Sequence, residues 1–308
     1  MPTEKREFWL IILSFFLIYF VWGSTYLANA WGIKDVPPFM YAAFRFICAG
    51  IILFLIARMQ GPIRLSREQL INTVICGFFF FAIGNGLVVW ALLFIDTGIS
   101  ALIISFQPVL VVALLWAWKK EKPSIGAIIG LVLGIVGMTF LVGQPNFSSS
   151  PELMKGLLAI FTAMLGWAWV SVWVPTANLP KSIFLSAALQ MFFGGVMLAL
   201  ISTGLREYTR FDSSKITMNS IWIFLYLLFF GSISAFTAFS YLLKKVSPAK
   251  VVTSTFVNPV VALILGGWLN AENFSGQSVV AAVFLLSGVL FINGQMDDLW
   301  KWSRRGRS

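Results

Sequence analysis

No histidine occurs in the 308 residues. That excludes imidazole as a general base, a proton relay or a metal ligand. Cysteine is nearly absent. Cys48 and Cys76 both fall inside apolar runs, where they read as small packing residues rather than a disulfide or metal pair. Charge is scarce as well: 11% of residues are charged and 59% are hydrophobic. A water-covered globular domain carries about 25% charged residues, so this composition excludes one. The net charge is +10. Its placement argues against nucleic-acid binding, because the basic residues lie between apolar runs, as topology signals do.

What is present is a series of apolar segments, at roughly 8–31, 37–58, 71–95, 98–118, 124–143, 155–176, 182–203, 219–243, 249–269 and 277–296. At about 1.5 Å per helical residue, each can span a hydrocarbon core of about 30 Å. The fold class is therefore all-α: a polytopic membrane protein with ten transmembrane helices. Lys5 and Arg6 precede the first run, and "ANA" at 28–30 is shaped like a cleavage site. The run is longer than a signal core, so it is expected to be retained. With the N-terminus inside, 16 Lys and Arg residues fall in cytoplasmic segments and 5 outside, which predicts both termini in the cytoplasm.

The chain also repeats. Offset by 151 residues, Pro108 meets Pro259, Glu121 meets Glu272, Gly137 meets Gly288 and Gly143 meets Gly294. A shift of 145 places Trp22 on Trp167, Arg45 on Gln190 and Gly50 on Gly195. Two five-helix units follow, 1–147 and 148–308, the second ending in a basic tail. Five is odd, so the copies enter the membrane from opposite sides. Inverted repeats are the plan of secondary transporters, which alternate access to a midplane site.

Residues that interrupt the apolar pattern are the site candidates. Arg45 lies about 10 Å past the outer start of its helix by helical rise. A charge at that depth usually faces a bundle interior or a wet cavity. No acidic residue stands at comparable depth, so Arg45 reads as an anchor for a substrate carboxylate, which a guanidinium grips bidentately. The competing reading has it snorkelling outward or bonded to backbone carbonyls. Gln107–Pro108 and Asn258–Pro259 place an amide before a helix-breaking proline. The prolines are expected to be hinges beside the pathway, the competing reading being kinks that only shape packing, with the amides serving the freed carbonyls of Ile104 and Thr255 or facing substrate. Trp22, Tyr26, Trp167 and Trp169 are mid-helix aromatics suited to a cavity wall or, equally, to packing against lipid or another helix, and Asn29 and Asn85 are further polar candidates. Gly126, Gly130 and Gly134 read as a close-packing face. An intramembrane hydrolase is disfavoured, since no lysine lies deep enough to activate a serine. The lack of a buried acid or histidine points to a carrier without a dedicated proton site.

The stretches "FVWGSTYLA" (20–28), "PPFMYAAFRFICAG" (37–50), "AIGNGLVVWA" (82–91), "FGSISAFTAFSYLLKKVSPA" (230–249) and "VNPVVALILGGWLNAE" (257–272) resemble the EamA-type carriers of the drug/metabolite transporter superfamily. The resemblance covers nearly the whole chain. It implies an inner-membrane permease of two inverted halves, in a family whose members mostly export amino acids and other metabolites. Trp22, Gly23, Arg45, Asn85, Pro108, Asn258, Pro259 and Glu272 fall on its motif positions. Some similar members carry acidic and histidine residues after the "GNG" helix, where this chain has "LLFID".

The combined expectation is a secondary transporter, not an enzyme, with no cofactor or metal. It would export amino acids or related carboxylate-bearing solutes. Arg45, Trp22, Tyr26, Asn85, Gln107, Trp167, Trp169 and Asn258 would meet the solute, with Pro108 and Pro259 as hinges. Its partners would be the small-molecule substrate and the bilayer, with the protein a monomer or weak homodimer. The alternative is an exporter of larger amphiphilic drugs or lipid-linked compounds.

Overall fold

Long apolar runs with no water to satisfy their backbone form helices, because a helix pairs its own N–H and C=O groups. The computed structural model describes residues 3–142, 150–251 and 254–293. Among these there are helices and turns and no strand. The 147/148 boundary and the basic tail lie outside the described residues. The long helices are α1 (Lys5–Asp35), α2 (Pro38–Met59), α3 (Arg67–Ala91), α4 (Thr97–Lys119), α5 (Ile125–Val142), α6 (Pro151–Thr176), α7 (Ile183–Gly204), α8 (Met218–Lys245), α9 (Ser254–Leu269) and α10 (Gly276–Asn293). Seven of them, α1 to α4 and α6 to α8, are long and apolar enough to cross a membrane. Shorter apolar stretches lie in α5, α9 and α10. Exposed large hydrophobics such as Leu55, Leu158, Trp222 and Val283 cover the outer faces. An apolar surface of this extent belongs in lipid, and the chain is a multi-pass membrane protein.

Local sequence sets the ends. Ser66 and Gln69 form a capping box at the start of α3, so that helix begins four residues before the apolar run expected at 71. Thr217 and Ser220 do the same for α8.

Small residues set the packing. α2 lies along α7 and α5 along α10. A Cβ on Gly50 would stand 2.8 Å from the Ala188 carbonyl oxygen of α7, and one on Gly195 would stand 2.8 Å from the Ile47 nitrogen of α2. Each glycine thus admits the other helix's backbone. The α5 face does the same with α10: a Cβ on Gly288 would stand 2.7 Å from the Gly130 carbonyl oxygen. Further contacts join α3 to α6 and α1 to α8, then α1 to α9 and α4 to α6, and α4 to α9. Exchanging each helix for the one five places along maps these contacts onto one another.

Three helices are not regular throughout. π-helical turns interrupt α1 at Leu17–Val21, α3 at Phe78–Asn85 and α8 at Leu227–Ser234. Such turns loosen the hydrogen-bond ladder and free carbonyls. α4 breaks at Ser105–Phe106, with Pro108 in the first turn of the second piece. Pro259, by contrast, lies inside α9. The two prolines therefore sit differently within their helices.

Candidate functional site

The irregular turns and the α4 break surround one cavity, about 920 Å³ of empty space including its mouth. Its walls come from α1, α2, α3, α4, α6, α8 and α9.

Arg45 is on the wall and 2% exposed. Its Nη1 donates to Asn29 Oδ1 at 2.9 Å and its Nη2 to Asn85 Oδ1 at 3.3 Å. Its Nε has no partner among the described residues. The guanidinium carbon stands 4.4 Å from the centre of the Phe46 ring. The acid-free depth predicted from the sequence is seen here as a clamp of two neutral amides. No Asp or Glu lines the cavity among the described residues. Asn29 is itself fixed, donating from Nδ2 to the Thr25 carbonyl at 2.7 Å. The helical offset of four residues makes that bond local.

The proline-flanking amides are buried and line the cavity. Their amide nitrogens point to other carbonyls than those of Ile104 and Thr255. Gln107 Nε2 donates to the Met164 carbonyl of α6 at 3.0 Å. With its nitrogen turned towards the neighbouring acceptors, the Asn258 amide lies within hydrogen-bond reach of the carbonyls of Tyr19 at 2.7 Å, Ile18 at 3.1 Å and Ser254 at 3.0 Å. Ile18 and Tyr19 belong to the π turn of α1, whose displaced carbonyls are accessible to a neighbouring helix. The amides therefore tie helices together at the break and the π turn.

Trp22 follows the same logic. Its Nε1 donates to the Gly231 carbonyl, in the π turn of α8, at 3.1 Å. Its ring packs edge-on against Trp167 at 5.8 Å and tilted against Phe239 at 5.2 Å. Gly84 makes room for Trp167, since a Cβ there would stand 2.7 Å from that indole. Tyr26 lines the cavity from α1.

Seven of the eight side chains singled out in the sequence as substrate-facing meet at this wall. Trp169 does not. It packs against Phe79 at 4.7 Å, Trp118 at 5.8 Å and Trp173 at 5.4 Å. Two residues along a helix is a turn of about 200°, so Trp167 and Trp169 face opposite ways. The sequence reading did not single out Phe46, Phe81, Phe236, Phe239 or Ser232. Phenylalanine is too frequent in this chain, at 30 residues, to mark a wall. Ser232 carried a weak signal, as part of the polar "SIS" inside an apolar helix. Its Oγ is buried and unpartnered among the described residues.

Comparison with known proteins places this architecture. The chain is 31% identical over 286 residues to the uncharacterised inner membrane transporter YedA of Escherichia coli K12, covering 91% of this chain and 89% of that protein. It is 24% identical to the uncharacterised transporter YoaV of Bacillus subtilis over 92% of this chain and 96% of the relative. Protein PecM of Dickeya dadantii matches at 26% over 92% and 91%. A solved crystal structure superposes with a TM-score of 0.70 at 19% identity, covering 94% of this chain and 98% of the other, which is a likeness of fold. The profile of the EamA-like transporter family matches twice, over residues 9–143 and 154–294. The matching family and the YedA and YoaV relatives are named as transporters rather than enzymes, and the chain belongs to the EamA-like transporter family.

Proposed function

We propose that this protein is a secondary transporter that moves small carboxylate-bearing metabolites, amino acids among them, by alternating access to the cavity around Arg45. The observation that carries the reading is the guanidinium itself. It is buried on the cavity wall and held by two neutral amides, with no carboxylate to cancel its charge. A charge kept at such depth is functional by default.

The architecture of this reading is ten spans in two inverted five-helix halves. The doubled family match and the exchange symmetry of the helix contacts support it. Trp22, Tyr26, Asn85, Gln107, Trp167 and Asn258 surround the solute in this reading, and the Ser105–Phe106 break beside Pro108 serves as a hinge. The membrane is the bacterial inner membrane, as for the Escherichia coli relative, with both termini in the cytoplasm and export as the direction. The protein acts as a monomer or weak homodimer.

Solute counterflow in proteoliposomes tests the reading. Loaded carboxylate-bearing solutes should exchange, and Arg45→Leu should abolish exchange while remaining monodisperse. The second reading, an exporter of larger amphiphiles, draws on the aromatic walls and the size of the cavity. Exchange of bulky amphiphiles but of no small carboxylate would replace the first reading with the second.

A further inference from the structure

The cavity is unevenly supplied with hydrogen-bonding groups. Its irregular helices free several carbonyls, the groups with which transporters commonly cradle a cation. Several carbonyls around this cavity are engaged by the protein's own donors. Asn258 takes Ile18 and Tyr19, Gln107 takes Met164, Trp22 takes Gly231, Asn29 takes Thr25, and the Thr25 hydroxyl takes Trp22 at 2.7 Å. The amide oxygens of Asn29 and Asn85 are occupied by Arg45. The fully buried side-chain atoms of the wall left without a partner among the described residues are Arg45 Nε and Ser232 Oγ. Both can donate.

An ammonium entering this cavity meets the fixed Arg45 guanidinium, and no Asp or Glu among the described lining residues offers it a counter-charge. A carboxylate meets a cation and spare donors. Much of the remaining wall is aromatic, from Phe46, Phe81, Trp167, Phe236 and Phe239. Charge selection then depends on the two asparagines. Replacing either by a carboxylate would keep the hydrogen bond and cancel the charge.

We propose that Asn29 and Asn85 are specificity-determining positioning residues, which keep Arg45 uncancelled so that the site prefers a monoanionic carboxylate with an aromatic or apolar body over the corresponding zwitterion or amine. The proposal rests on the carboxylate-carrier reading above and narrows it: solutes without an ammonium group come ahead of amino acids.

Three molecules with one body separate the charge states: 3-phenylpropionate, L-phenylalanine and 2-phenylethylamine. Their binding is measured by isothermal titration on the full chain in nanodiscs, against empty discs. The wild type should bind 3-phenylpropionate at least about tenfold more tightly than L-phenylalanine, since an ammonium buried without a partner is strongly penalised. It should bind 2-phenylethylamine weakest. Asn85→Asp should erase or reverse that order. Asn85→Ser, which stays neutral, should weaken binding and preserve the order, a distinction that a merely structural role would not produce. Asn29→Asp is the second charge-changing variant should Asn85→Asp misfold, and the wild-type ratio is decisive without either. Equal or tighter binding of L-phenylalanine overturns this proposal and leaves the carboxylate-carrier reading standing. Binding of the amine alone overturns both, whereas binding of none of the three overturns this proposal and leaves the carboxylate-carrier reading to the counterflow test. An unchanged order in a folded Asn85→Asp protein removes the asparagines from the selection.

Discussion

Glu272, in the turn after α9, reaches Thr97 at the first turn of α4: Oε1 accepts from the Thr97 hydroxyl at 2.7 Å. The same carboxylate accepts the backbone N–H groups of Thr97 at 3.2 Å and Gly98 at 3.1 Å, and the Asn270 amide at 3.1 Å. Gly266 gives it room, because a Cβ there would stand 2.5 Å from Glu272 Oε2. A carboxylate on free N–H groups at a helix start is a charge-assisted cap supported by the helix dipole. This one comes from a different helix pair, so it also ties α9 to α4. Glu272→Gln should destabilise the purified protein by about 1–2 kcal/mol, since it keeps the shape and loses the charge. Glu272→Ala should cost more. Thermal melting in one detergent compares the three. Equal melting points would remove the cap from the account.

Asp96 precedes that turn, and its side chain makes no cap bond. Partial burial, and then the nearby Glu272 charge, push its carboxyl above the ordinary value of 3.8. A group whose folded value is raised favours folding while protonated. That contribution is present at acid pH and is lost as pH rises from the ordinary carboxylate range through the raised value. Asp96→Asn removes the dependence. The melting point of the variant minus that of the wild type should therefore grow more positive across that window. Because Asp96 is solvent-exposed, the change should be small. A difference that shrinks with rising pH would contradict the sign.

How much was legible in the sequence differs between polar and apolar groups. Arg45, Asn29, Asn85, Gln107 and Asn258 stand out because polar atoms are costly at depth, and all five line one cavity. Their partners were not legible. Adjacency suggested that Gln107 and Asn258 serve nearby carbonyls, whereas the structure gives Gln107 to α6 and most of the Asn258 contacts to α1. A partner on another helix is set by packing that one segment does not encode. The π turns left no mark either, since "FFFFAIGN" reads as an ordinary apolar helix. As a mid-helix aromatic, Trp169 is expected from the sequence on the wall with Trp167, although its position two residues further along the helix already turns it away from that face.

The α2–α7 contact depends on backbone proximity at Gly50. A Cβ there would stand 2.8 Å from the Ala188 carbonyl oxygen and 2.8 Å from the Phe192 nitrogen, neither of which can move without shifting a helix. Gly50→Ala should destabilise by about 1–3 kcal/mol, the range for overpacking. Gly204→Ala is the control, because a Cβ there meets nothing within 4 Å. Melting of the two variants side by side tests the claim. Similar losses in both would show that helix packing at Gly50 has slack.

Trp22 joins the packing of the site to its irregular backbone. Trp22→Phe retains an aromatic ring against Trp167 and Phe239 but removes the N–H that serves Gly231. That carbonyl lies in the π turn of α8, where the hydrogen-bond ladder is irregular. Leaving a buried acceptor unpaired costs about 1–3 kcal/mol. The turn has a cheaper route, which is to relax towards a regular helix and rotate the residues that follow it. Ser232 and Phe236 line the cavity just beyond Gly231, so that rotation would reshape the wall. Trp22→Phe should therefore lose counterflow activity out of proportion to its melting-point change. Trp22→Ala should lose both. Full activity in a Trp22→Phe protein with a lowered melting point would confine the bond to stability and separate the π turn of α8 from solute binding.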